Sequence, residues 1–140
     1  QDPQTAIVGA CVRPATPLLE ERMHWWLLNR LWWLEGEVLS AALVSGVCYA
    51  LRRSCAAPLV PDGTDDAQLA LAAGARGLRA RLCPAARATE MRVPRSPSEL
   101  LEFRRRRGLD YERALRRAAP AHAPFGWRLA RAIRLWHFHV

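Results

Sequence analysis

Four cysteines constrain this chain more than any other feature. They stand at Cys11, Cys48, Cys55 and Cys83, an even set in 140 residues, with spacings of 37, 7 and 28. No CxxC pair occurs. A zinc site needs two close ligand pairs, and only Cys48 and Cys55 come near that. The set therefore predicts two disulfides and an oxidising compartment. Each bridge contributes about 2–4 kcal/mol, mainly by restricting the unfolded chain. Four cysteines permit three pairings, and the spacing leaves all of them open.

The length suits a single domain over residues 1–140. Hydrophobic residues make up 51% of the chain, enough for a packed core. Basic residues outnumber acidic ones by 21 to 13, a net charge of +8. Such a balance points to anionic partners. Every one of the 21 cations is Arg and none is Lys, beside one Asn and many Ala and Leu. That skew follows GC-rich codons, so Arg is the cation the genome supplies. Arg still tolerates interfaces better than Lys, being planar and weakly hydrated. The first residue is Gln, which reads as a processed mature terminus. The longest apolar run, Val38 to Leu51, has 14 residues. A membrane span needs roughly 20, so none is expected. The absence of an Asn-x-Ser/Thr sequon excludes N-glycosylation.

Three parts follow along the chain. Residues 1–17 read as an extended N-terminal arm with a short strand at Ala6 to Val12. Residues 18–83 read as a disulfide-framed, Trp-rich core. Thr16-Pro17 opens its first helix, which runs to about residue 35. The stretch after it reads equally as helix or strand. Asp62-Gly63 marks a turn. Asp65 or Asp66 caps a helix carrying Leu69, Leu71, Leu78 and Leu82, which Pro84 ends. Residues 84–140 read as an Arg-rich helical part, opening with a proline-rich loop to about residue 97. Ser96-Pro97-Ser98-Glu99 is a capping box for a helix that stops at Gly108. Asp110 then caps a second short helix, stopped by Pro120. A last helix carries Leu129, Ile133 and Trp136 on one face, with Arg128, Arg131 and Arg134 opposite.

The segment from Leu18 to Arg53 is apolar nearly all round. A helix of that kind is buried on most faces, which a chain this short achieves with a partner. Trp25-Trp26 and Trp32-Trp33 lie two helical turns apart, and adjacent tryptophans cannot both face one core. The expected class is therefore α+β: a small, mainly helical, disulfide-bonded domain with a minor sheet completed by a partner chain. The Arg104 to Arg107 run reads as a solvated face at a helix C-terminus. His122, His137 and His139 lack a close carboxylate or cysteine pair, so no metal is expected. No GxSxG, HExxH or Gly-rich phosphate loop is present. No enzyme and no cofactor is therefore expected.

One stretch has a family likeness. Ala42-Leu43-Val44-Ser45-Gly46-Val47, followed by Cys55, resembles the Ala-Leu-x-x-Gly-Ile segment and nearby cysteine of alphaherpesvirus glycoprotein L. Ala10-Cys11-Val12 stands 31 residues before Ala42, further upstream of the segment than that family's first cysteine. The resemblance implies the pairs Cys11–Cys55 and Cys48–Cys83. It implies a non-catalytic subunit that forms a heterodimer with glycoprotein H, assists its folding and transport, and supports membrane fusion during entry. It places the chain in the secretory pathway and on the virion envelope, held there by its partner. The arm, through Val8 and Val12, and the segment carrying Trp25, Trp26, Trp32 and Trp33 are then expected to form the interface. Alternative readings are a secreted cytokine-like helical ligand and a basic nucleic-acid-binding protein. The main reading expects no nucleic acid.

Overall fold

A computed structural model describes residues 2–38, 43–56, 58–61, 64–118 and 122–137. Among these, a sheet of three strands carries four helices. The strands are β1 (Thr5–Pro14), β2 (Tyr49–Leu51) and β3 (Arg79–Glu90). The helices are α1 (Leu19–Val38), α2 (Asp65–Ala75), α3 (Pro97–Arg117) and α4 (Phe125–His137). The α+β class with few strands is as expected. All three strands come from this chain, and no partner strand is shown.

The strand expected at Ala6 to Val12 is present within β1, but it is the centre of the sheet rather than part of an extended arm. β1 pairs antiparallel with β2 and parallel with β3. Its near-continuous run of small and apolar residues fits a strand covered on both faces. Ala6, Ile7, Ala10 and Val12 are all buried. β3 extends through residues expected to be loop, because Pro84 falls where the ladder is broken. Ala10 pairs with Cys83, but Cys11 pairs with Arg87. The three residues between them on β3 bulge out, and a bulge is where a strand tolerates proline.

α2 ends earlier than its leucine spacing suggests. Gly77 takes a left-handed φ of 76°. Leu78 N–H donates to Ala73 O at 3.0 Å and Gly77 N–H to Gly74 O at 3.0 Å. This turn closes the helix, so Leu78 and Leu82 belong to the strand side. α3, by contrast, does not stop at Gly108 but runs on to Arg117. A helical glycine costs about 1 kcal/mol. Burial of Leu100, Ala114 and Leu115 on one face holds the two halves together. Its start is as expected: Ser96 Oγ accepts from Glu99 N at 3.3 Å, and Glu99 Oε2 accepts from Arg95 N at 2.8 Å. Ser96→Ala is expected to cost about 1 kcal/mol, read as a lowered midpoint in urea. The expected turn at Asp62-Gly63 and the stop at Pro120 lie outside the described residues.

The main core packs Val12, Trp25, Trp32, Leu71, Leu115 and Trp127 together. Trp25 and Trp32 meet edge to face, with ring centroids 6.1 Å apart. α1 lies close on β3 because Gly36 has no side chain. A Cβ there would sit 3.3 Å from Arg81 Cα. Glu21 is buried at 1% exposure. It accepts from Trp25 Nε1 at 3.0 Å and from Arg104 at 3.2 Å, which fastens α3 to α1. No described helix is long and apolar enough to cross a membrane.

The expected disulfide frame is not formed: Cys11, Cys48, Cys55 and Cys83 are free thiols. The sheet explains why the pairs Cys11–Cys55 and Cys48–Cys83 are out of reach. Cys55 packs on Ala6. Cys11 lies five residues further along β1, about 16 Å at strand rise. Cys48 O accepts from Ala10 N at 3.0 Å on one side of β1, whereas Cys83 pairs with Ala10 on the other. Two strand spacings separate them, about 9.5 Å, and a disulfide needs Cα atoms within about 7 Å. Thiol titration of the unfolded, unreduced protein should count four free thiols. In the folded protein exposed Cys48 should react first. Cys11 should lag, because burial holds its thiol above the usual range.

Candidate functional site

The residues expected to bind a partner divide by helix face. Trp25, Trp32 and Val12 are core. Val8 and Trp33 are half-buried. Trp26 is 62% exposed. The arginine run is mostly engaged with carboxylates rather than free for phosphate. Arg104 pairs with Glu21, Arg105 with Glu102 and Arg107 with Glu90. Arg107 also lies over the rings of Trp25 and Phe103, at 5.3 and 4.5 Å. His122 is exposed. The side chain of His137 and all of His139 lie outside the described residues.

The chemistry gathers instead at the N-terminus of α2, which sequence reasoning treated only as a cap. Thr64 precedes the helix, and Asp65 and Asp66 form its first turn. Asp66 is 5% exposed. Its Oδ1 accepts from Ala67 N at 2.8 Å. The loop holding Ser45 and Gly46 closes over the other oxygen. A Cβ on Gly46 would come 3.0 Å from Asp66 Oδ2, so only glycine leaves that oxygen room. Ser45 is itself buried, and its Oγ accepts from Val47 N at 3.3 Å. Burial pushes the Asp66 carboxyl above its ordinary value of 3.8, against the pull of the Ala67 N–H.

Two tyrosines complete the cluster. Tyr49 of β2 donates its hydroxyl to Asp65 Oδ2 at 2.9 Å. Burial and this hydrogen bond push its phenol up to about 12. Tyr111 of α3 faces Asp66. Burial, then the Asp66 charge, holds its phenol far above the usual range, while Arg107 and Arg134 pull it down. Arg134 of α4 pairs in turn with Glu35 of α1. Two adjacent carboxylates thus have opposite environments. Asp65 is exposed and bonded to a hydroxyl, and Asp66 is buried, raised by that burial and covered by glycine, serine and tyrosine. A carboxylate raised in this way is suited to take a proton from a hydroxyl. The signal available in the sequence was the Thr64-Asp65-Asp66 triplet followed by an apolar helix. Nothing local separates that triplet from an ordinary cap.

A second feature lies along α1. A groove with a volume of about 1060 Å3 runs between α1, the end of β1 and the bulge of β3, beside Trp26 and Trp33.

No protein-family model matches the chain, and neither does any curated protein. The fold is similar to a solved structure, the mannosyltransferase PcManGT from Pyrobaculum calidifontis in complex with GDP-Man and Mn2+. The TM-score is 0.75 at 19% identity, over 99% of this chain and 38% of that one. This chain therefore spans well under half the length of the protein it matches. At such identity the likeness is one of fold. It still overturns the glycoprotein L resemblance and, with it, the glycoprotein H partner and the reading of a non-catalytic envelope subunit. The resemblance rested on a short segment, whereas the fold likeness runs through nearly every element. The cytokine-like and nucleic-acid-binding alternatives gain no support from it. The expectation that the chain is no enzyme is corrected in the same way, since its fold is one that an enzyme uses.

Proposed function

We propose that this chain is a catalytic segment of a glycosyltransferase-type enzyme, with Asp66 as the general base. The observation that carries the reading is the buried Asp66 at the start of α2, its carboxyl raised by burial, within a fold similar to part of a mannosyltransferase. Asp66 Oδ2 takes the proton of an acceptor hydroxyl. The acceptor oxygen bonds to the anomeric carbon of the donor sugar. The bond from that carbon to the diphosphate oxygen breaks, and its electron pair leaves with the nucleoside diphosphate. Tyr49 holds Asp65 aside, and Tyr111 keeps water from the base.

PcManGT was solved with GDP-Man and Mn2+. The described residues of this chain do not fit a resident Mn2+. No three His, Cys, Asp or Glu side chains among them converge as a ligand set. Asp65 and Asp66 are two carboxylates, one bonded to Tyr49 and the other buried. The step above is therefore derived through this chain's own base and is not routed through a metal.

The test is nucleoside diphosphate release from GDP-mannose and other nucleotide sugars, measured with hydroxyl acceptors present. Release by the wild type that is lost in Asp66→Asn supports the reading. An Asp66→Asn protein that keeps the wild-type rate overturns it.

A further inference from the structure

α1 turns an apolar face to water. Its buried side is carried by Glu21, Trp25, Trp32 and Gly36. The opposite side of a helix in such a domain is normally polar. Here it carries Leu19, Met23, Trp26, Leu27, Leu31 and Leu34, all between 48% and 62% exposed. α4 repeats the pattern independently. Trp127 and Ala130 face inward, while Phe125, Leu129, Ile133 and Trp136 face out. Arg131 and Arg134, on the face opposite these apolar residues, turn back onto the protein. Arg131 donates to Leu115 O at 2.6 Å, and Arg134 pairs with Glu35.

Cations border the apolar face of α1. Arg13, Arg22, Arg30 and Arg87 line the groove beside it, and no carboxylate does. All four are exposed. None forms an ion pair with a described carboxylate. Arg30 lies 5.9 Å over the ring of Trp26. We infer that this face docks on an anionic lipid surface, with Trp26 and the leucines at the acyl boundary and the groove arginines on lipid phosphates.

Charge selects this occupant. Arg22 and Arg30 flank the apolar residues on the same exposed side. An apolar protein cover would take them out of water without an acid partner, which is costly. A second copy would bring their charges together, on chains of net charge +8 each. A headgroup layer accepts arginine at phosphate depth while the apolar side chains enter below it. The surface requires nothing of Asp66, so the inference stands or falls apart from the proposed chemistry.

Flotation of the full chain with lipid vesicles tests it. Vesicles of phosphatidylglycerol in phosphatidylcholine should bind the protein about tenfold or more tighter than phosphatidylcholine alone. Leu27→Glu/Leu31→Glu should weaken that binding by at least about tenfold. Leu59→Glu/Val60→Glu adds the same charge at exposed residues of another segment and should leave binding near wild type. Arg22→Glu/Arg30→Glu should erase the preference for phosphatidylglycerol. Equal thermal melts would show that the variants fold. No flotation of the wild type overturns the inference, as does equal weakening in the two leucine-region and Leu59/Val60 doubles. So does a wild-type oligomer in light scattering that Leu27→Glu/Leu31→Glu dissolves while lipid binding is absent.

Discussion

Asp66→Asn is expected to make the protein inactive and more stable at once. General-base catalysis contributes about 10²–10⁴ in rate, so sugar transfer should fall by that factor. Asn keeps the shape and the hydrogen bond from Ala67 N but cannot accept the proton. The stability gain follows from the direction of the shift. Burial raises the folded-state value of Asp66 above the ordinary 3.8 of the unfolded chain. The native state therefore holds the proton at pH values where the unfolded chain has lost it. Native stability falls as pH rises through that window and stays lower above it. The Asn variant has no charge to bury and escapes this loss. Near neutral pH its Tm should rise by about 4 °C, and the gain should vanish below the ordinary carboxylate range. In the wild type, transfer should rise with pH as Asp66 ionises, with a midpoint above 3.8. Melting curves and rates across pH check both sides. An Asn variant less stable than wild type at every pH would show that the carboxylate is structural.

The two halves of this prediction separate a working group from a structural one. Glu21 is as buried as Asp66, yet it is fully employed. It accepts from the Trp25 indole and from Arg104, and losing it would strand both. Asp66 accepts from Ala67 N and from the Gly46 backbone, yet burial outweighs both and its carboxyl stays raised. A buried charge that destabilises its own fold is a feature that function explains and packing does not.

Local signals in the sequence were reliable where the physics is local. The capping box at Ser96 to Glu99 starts α3 as written. Thr16 Oγ1 accepts from Leu18 N at 3.2 Å just before α1. The adjacent tryptophans divide between core and surface because neighbouring helix positions point 100° apart. What stayed hidden is set by tertiary context. Pro84 reads as a strand breaker unless the bulge opposite Cys11 is known. Gly108 reads as a stop unless the burial of Ala114 and Leu115 beyond it is known. The cysteines suggested bridges by number alone, while their separation depends on which strands flank β1. For α4 the spacing defined two faces correctly, but nothing local says which one meets the protein. That choice was made by Glu35 and by the carbonyls of Leu115 and Arg116 at the end of α3, both distant in sequence.

Gly74→Ala should show how firmly α4 is seated. Helix propensity alone favours alanine by up to about 1 kcal/mol at this penultimate position of α2. Sterics oppose it. A Cβ on Gly74 would lie 2.3 Å from Trp127 Cδ1 and 2.6 Å from its Nε1. Trp127 is only 5% exposed and packs in the main core, so its ring has no open side to move into. Overpacking costs about 1–3 kcal/mol, and displacing a buried Trp costs about 3–5 kcal/mol. The clash should win, with a net loss of about 3 kcal/mol and a Tm lowered by about 10 °C. The cause is checked by a cycle with Trp127→Leu. Leucine gives up packing but removes the ring that the methyl meets. If the indole is the obstacle, the double variant is more stable than the sum of the two losses predicts, by about 1 kcal/mol or more. Additive losses would place the strain in the backbone of α2 instead. A Gly74→Ala protein that melts above wild type would mean that α4 does not pack through Trp127 at all.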